Sequence, residues 1–149
     1  MDHATLIDRI KSKDARLVVI GLGYVGLPVA CLFADAGFNV TGLDVNHDRV
    51  DTTNQGLCPI EGKEPGLPEL VSRVVGEGNL RATTDYAACS DAQIILIAVE
   101  TPVDAETKKP AYRALRDALT DLGTHLTPGT MVIIASTLAP GTMTGLVQP

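Results

Sequence analysis

Gly21-Leu22-Gly23-Tyr24-Val25-Gly26 has the G-x-G-x-x-G spacing that lays a backbone turn against a phosphate. In that spacing Gly21 permits the tight turn, Gly23 lets a pyrophosphate approach the backbone, and Gly26 lets the following helix pack closely on the preceding strand. The helix start then offers unpaired N–H groups and a partial positive charge to the phosphates. Asp44 stands 18 positions beyond Gly26, close to the roughly 20-residue offset of a carboxylate that accepts from ribose hydroxyls. Such an acid repels a 2′-phosphate, so the expected cofactor is NAD rather than NADP. Arg49 leaves two readings open: it pairs with a 2′-phosphate, or it forms a surface ion pair about one helical turn from an acid.

These groups need a strand, a turn and a helix in that order, and the hydrophobic pattern supplies them. Residues 17–20 form an apolar run too short for a helix, and apolar residues at helical spacing follow through Val25, Val29, Leu32 and Phe33. Gly37 suits the left-handed stop, and a second strand is predicted over 38–43, ending on Asp44. Further on, the pattern predicts a helix over 46–53, a Pro/Gly-rich loop over 56–66, and a helix from about Pro68. A third strand is predicted over 80–84. The apolar run 92–99 reads as a central strand buried on both faces. A loop over 100–110, a helix over 112–125 and a fifth strand over 131–135 complete the series. Alternation of this kind predicts an α/β fold, a single doubly wound, mostly parallel Rossmann sheet over 16–149, preceded by a polar arm or helix over 1–15. Thr142 is placed to cap another helix, yet only seven residues follow it, so the chain is expected to be one piece of a longer protein, truncated at its C-terminus.

Composition removes other classes of function. Twelve Lys and Arg against 18 Asp and Glu give a formal charge of −6, and no basic run stands out, which argues against nucleic acid. With no Trp, three Tyr and two Phe, there is no stacking platform for single strands. The long apolar stretch 17–38 is broken by glycines, Pro28 and Asp35, so no membrane span is expected. Cys31, Cys58 and Cys89 lack metal-ligand spacing and read as thiols of a reducing cytoplasm; Cys31 and Cys89 are expected in the core. His3, His47 and His125 are expected at the surface, and no metal is expected.

Further motifs occur in a fixed order. Leu27-Pro28 continues the glycine loop; Asp44-Val45-Asn46 precedes Arg49; Gly56 and Pro59-Ile60 precede Glu64-Pro65-Gly66-Leu67; Thr83-Thr84-Asp85 and Thr101-Pro102 follow. Ser136-Thr137 then precedes Pro140-Gly141-Thr142. Together they resemble the UDP-glucose/GDP-mannose dehydrogenases, which oxidise C6 of a nucleotide sugar to a carboxylate with two NAD, and within them the UDP-N-acetylhexosamine 6-dehydrogenases. The resemblance implies that Tyr24 and Val25 touch the pyrophosphate, Asp44 and Arg49 the adenosine ribose, and Thr101 the cofactor beyond it. It also implies that Thr137 sits beside the nicotinamide and the reacting carbon as the catalytic residue of this chain. Thr84 is a further implied cofactor contact, with helix capping as its other reading. The family's nucleophilic Cys, its catalytic Lys and its substrate-binding carboxylates match no position here.

The resemblance further implies a UDP-sugar substrate and a homodimer for the longer protein; it predicts no oligomeric state for this chain alone, which is expected to be inactive. Glu100 and Ala135 depart from the family pattern, and Gly62-Lys63 looks like an insertion whose spacing fails as a P-loop. Two alternatives remain: a non-catalytic NAD-sensing Rossmann module, and the NAD-binding domain of a hydroxy-acid dehydrogenase.

Overall fold

A computed structural model describes residues 2–62 and 64–148, and for His3 the backbone alone. The expectations for the His3 side chain and for Lys63 lie outside the described residues. After helix α1 (His3–Ser12) come strand β1 (Arg16–Ile20), helix α2 (Gly26–Asp35), strand β2 (Asn39–Leu43) and helices α3 (His47–Asn54) and α4 (Leu67–Gly76). Strand β3 (Leu80–Thr83), a 3₁₀ turn (Tyr86–Cys89), strand β4 (Ile94–Ile97), helix α5 (Arg113–Gly123) and strand β5 (Met131–Ile134) follow. The five strands pair in parallel, in the order β3-β2-β1-β4-β5. The doubly wound Rossmann sheet is therefore present.

Each face of the sheet carries its own core. Leu17 and Val19 of β1 pack with Val40, Leu80 and the helices α2 and α4, whose Leu27, Cys31, Val71 and Val74 have no exposed surface. On the opposite face Val18 and Ile20 pack with Leu43, Ile95, Ile97 and the α5 residues Leu115, Ala118 and Leu122. The alternation along β1 thus sends successive residues into two separate apolar layers, which is the physical meaning of a doubly wound sheet.

The edges differ in places from the sequence reading. Strand β2 begins at Asn39, because Phe38 turns its ring edge-on to Phe33 at 6.0 Å and its amide donates to Phe33 O. The run expected to be buried on both faces is buried on one: Ile95 and Ile97 are enclosed, while Ile94 and Leu96 are half-buried, and Met131 and Ile133 of the neighbouring β5 are each 40% exposed. Ile94 and Leu96 pack only in part against the core that β1 shares with α2 and α4. Residues 143–147 make a single π-helical turn, and the Thr142 hydroxyl does not cap it but donates to Ala139 O. The polar N-terminal segment is a helix capped by Asp2, whose carboxylate accepts from Thr5 N, and it buries Leu6. No helix among the described residues is long and apolar enough to cross a membrane.

Cys31 and Cys89 are buried as expected. Burial pushes the Cys31 thiol up to about 12, with the nearby Cys58 adding to it, and Cys89 up to about 11. Burial first, then the charge of Asp121, lifts the Tyr86 phenol to about 12. In all three the folded state holds a proton that the unfolded chain releases at lower pH, so this contribution is complete below the ordinary values of 9 to 10 and vanishes as pH climbs to about 12. Urea unfolding should accordingly show a midpoint that is flat from neutrality to pH 9 and falls steadily above it. Cys31→Ala should shallow that fall; an unchanged slope would exclude Cys31 as a contributor.

Candidate functional site: a cleft at the carboxyl edge of the sheet

Strands β1 and β4 lie side by side, yet the chain leaves them toward opposite faces, and this divergence opens a cleft of about 550 Å³ at their carboxyl ends. Clefts at such a switch point are where open α/β sheets hold ligands. Its walls come from four strand ends: Gly21 after β1, Asp44 after β2, Glu100 and Thr101 after β4, Ser136 and Thr137 after β5. The inner side of α5 adds Asp117 and Asp121, and Tyr86 closes the flank.

The three glycines do three different jobs. Gly21 has φ +93°, and a Cβ on it would lie 2.7 Å from Ala98 O, so the turn passes between β1 and β4 only without a side chain. A Cβ on Gly26 would lie 1.7 Å from Gly21 O and 3.3 Å from the Ala98 methyl, so Gly26 is what lets α2 start directly under the turn. Gly26 is not part of the cleft wall. A Cβ on Gly23 would meet nothing within 4 Å, and that open side lines the cleft.

The helix α2 has no side-chain cap; Val25 is its N-cap residue. Gly21 N donates to Leu43 O and Leu22 N to Asp44 Oδ2, but the next four amides, those of residues 23–26, find no acceptor among the described residues. Four free donors in sequence at a helix start form an anion site by themselves. This row of donors fits the pyrophosphate of a dinucleotide.

Asp44 is 5% exposed and strongly held. Its Oδ2 accepts from Leu22 N at 2.7 Å and from Arg49 Nη1 at 2.9 Å, and its Oδ1 accepts from Asn46 N at 2.9 Å. A carboxylate offers about four acceptor positions, so one remains for a ribose hydroxyl. Arg49, whose role the sequence left open, is engaged by this acid, as the ion-pair reading had it. The acid fixes the guanidinium on the rim of the cleft, and α3 itself is capped by Asn46, whose Oδ1 accepts from Arg49 N.

The other expected contacts divide. Tyr24 and Val25 line the cleft with mostly exposed side chains, and the Tyr24 hydroxyl donates to Glu61 O at 2.9 Å, tying the 56–66 loop to the glycine turn. Thr101 and Thr137 come together: Thr101 Oγ1 donates to Thr137 O at 2.9 Å, and Ser136 Oγ donates to Val99 O at 2.6 Å. These two bonds stitch the loops after β4 and β5 into one platform. Thr84 lies off the cleft wall. Nor does Thr84 cap the 3₁₀ turn; Asp85 does, accepting from Ala87 N, while Thr83 Oγ1 accepts from Asp85 N.

His125 is half-buried rather than superficial, its ring 6.5 Å from that of Tyr86 and its Nδ1 in contact with Thr124 Oγ1 and Asp121 O. No metal-binding cluster occurs among the described residues. Sequence reasoning missed Tyr86, Asp117 and Asp121 on the cleft wall, and it missed Tyr112. The acids on α5 are four residues apart, a spacing that places both on one side of the helix, which was the available signal.

Fold and cleft define a dinucleotide-binding α/β protein. Residues 15–149 match the UDP-glucose/GDP-mannose dehydrogenase family, NAD binding domain, and the chain belongs to that family, with NAD as its cofactor. It is 39% identical over 127 residues to the UDP-N-acetyl-D-mannosamine dehydrogenase of Campylobacter jejuni, covering 85% of this chain and 30% of that one. It is 38% identical over 136 residues to the UDP-glucose 6-dehydrogenase of Haloferax volcanii, covering 89% and 31% respectively. Among solved structures, the UDP-N-acetyl-mannosamine dehydrogenase from Staphylococcus aureus superposes with a TM-score of 0.82 at 35% identity, covering 91% of this chain and 32% of that one. The chain therefore spans about 30% of the length of the curated relatives it matches.

The contact between Gly26 and the Gly21 carbonyl generates a direct test. Gly26→Ala forces a methyl into the place of a backbone oxygen, so the turn or α2 must shift, and a loss of about 1–3 kcal/mol is expected, the cost of an overpacked site. Gly23→Ala adds a methyl to open space and should leave urea stability within about 1 kcal/mol of the parent. Equal losses in the two variants would contradict the division of labour between the glycines.

Proposed function

We propose that this chain is the cofactor-holding part of a nucleotide-sugar 6-dehydrogenase, an enzyme that oxidises C6 of a UDP-sugar to the carboxylate with two NAD. The observation that carries it is the row of free amides at residues 23–26 opening into a cleft whose far wall is the Ser136-Thr137 loop. In this reading Gly21, Gly23 and Gly26 shape the turn, and Tyr24 and Val25 lie along the pyrophosphate. Asp44 accepts from the adenosine ribose and Arg49 flanks it. The acid wall argues for NAD, because a 2′-phosphate entering beside Asp44 would meet a buried carboxylate whose neighbouring cation is already engaged.

Bound NAD supplies a hydride acceptor for the sugar carbon. The chain's own contribution is to hold that acceptor over the strand ends, with Thr101 bracing the Thr137 loop through its hydroxyl. The Thr137 side chain, on the cleft wall, orients the sugar hydroxyl or a water at the reacting carbon. A thiol able to hold an aldehyde between the two oxidations is not provided by Cys31, Cys58 or Cys89, which pack into the two cores away from the cleft. The chain alone is accordingly expected to bind cofactor and turn over nothing.

The division of the chain follows the same reading: residues 16–149 are the dinucleotide-binding domain and residues 1–15 an N-terminal arm or helix ahead of it. Thr84, which does not line the cleft, is a further proposed contact of the cofactor. The whole protein acts in the cytoplasm as a homodimer whose contacts lie outside this chain. The sensing module and the hydroxy-acid dehydrogenase gain no observation in their favour.

Thermal shift with NAD, NADP and no ligand tests the cofactor site. NAD at about 100 times its dissociation constant should raise stability by roughly 2.7 kcal/mol, a rise of a few degrees. NADP should give less, and Asp44→Asn should lose most of the NAD effect. No shift with either nucleotide would remove the support that the cleft gives to the dehydrogenase reading.

A further inference from the structure

The hydroxyl of Tyr112, just ahead of α5, accepts from Ala139 N at 2.8 Å and lies 3.2 Å from Thr142 Oγ1. Thr142 Oγ1 is in turn 2.7 Å from Ala139 O. A threonine hydroxyl has one proton, and the shorter contact to a carbonyl, which cannot donate, takes it. The phenol proton is then directed at Thr142 Oγ1. Ala139 N–H, the Tyr112 hydroxyl, the Thr142 hydroxyl and Ala139 C=O form a closed ring in which each hydroxyl both gives and receives. Bonds in such chains polarise and strengthen one another.

The ring encloses the Pro140-Gly141 turn, where Gly141 sits at φ +83°. The other end of the same loop is held by the Ser136 and Thr101 bonds to the β4 side. The Tyr112 ring itself packs against the α5-side core, so the phenol is held by apolar contacts from below and by the ring of hydrogen bonds from above. The loop after β5 is thus tied at its start to the β4 side, and Tyr112 ties its downstream half to the segment ahead of α5.

We propose that Tyr112 is a positioning residue for the nicotinamide end of the cleft: it holds the 136–142 loop so that Thr137 faces the cofactor. The placement follows from strand order. A dinucleotide whose ribose lies at Asp44, after β2, has its other half toward β4 and β5. Loosening the loop therefore weakens contact with the nicotinamide half and spares the adenosine half. This rests on the cofactor reading above, and the test separates the two.

The experiment is calorimetric titration of the chain with NAD and with ADP-ribose, which has the adenosine, the pyrophosphate and the second ribose but lacks the nicotinamide. Tyr112→Phe keeps the packed ring and removes one hydroxyl. It is expected to bind NAD about five- to tenfold more weakly, the fold-change of one net hydrogen bond, with ADP-ribose affinity changed less than about twofold. Thr142→Val opens the same ring from the other side and should show the same selective loss, which keeps the inference testable if Tyr112→Phe fails to fold. Enhancement of NADH fluorescence on binding, read without interference from Trp, should fall in both variants.

Equal weakening of both ligands, or of neither, overturns the proposal. So does a parent chain that binds ADP-ribose as tightly as NAD, a result that leaves the cofactor site standing. A parent chain that binds neither ligand overturns the cofactor reading itself and this inference with it.

Discussion

The arrangement at the carboxyl edge depends on one close approach, that of the Gly26 Cα to the Gly21 carbonyl. No side chain separates the end of β1 from the start of α2 at this point, and the Ala98 methyl of the β4 side fills the remaining space. Because the helix begins so close under the strand, its first amides are delivered at the mouth of the cleft rather than one turn away from it. The Asp44 carboxylate then ties the same turn to β2 through Leu22 N, so three neighbouring strands are registered against a single glycine loop. The two apolar cores hold these parallel strands beneath it.

The sheet, its direction and the cofactor loop were legible in the sequence because each is written in local signals. A short apolar run before Gly21 marks β1, and helical spacing after it marks α2. The acid at the predicted end of β2 marks where a ribose sits. The central strand was misjudged on one face because an apolar run records only that its residues avoid water, not which side a helix will cover. The capping alternative for Thr84 failed because three polar residues in succession, Thr83, Thr84 and Asp85, compete for the same turn, and the one whose carboxylate reaches Ala87 N takes it.

Tyr112 was not legible at all. Its partners lie 27 and 30 residues away, and nothing about a tyrosine ahead of a helix announces a hydrogen bond at that distance. The same holds for the bond from the Thr101 hydroxyl to the Thr137 carbonyl, 36 residues away. Side chains that work through other side chains are visible only after the chain has folded.

The acids on the cleft wall have a kinetic consequence. Asp44, Glu100, Asp117 and Asp121 surround a mouth at which Arg49 is already paired, on a chain of formal charge −6. An anionic dinucleotide is therefore repelled at long range and attracted only once it reaches the amides of the glycine turn, so added salt should speed its arrival by screening the repulsion. Reduction removes the positive charge of the nicotinamide ring, which makes the reduced cofactor more anionic than the oxidised one. The same acidic mouth therefore discriminates by charge, disfavouring the reduced form relative to the oxidised one.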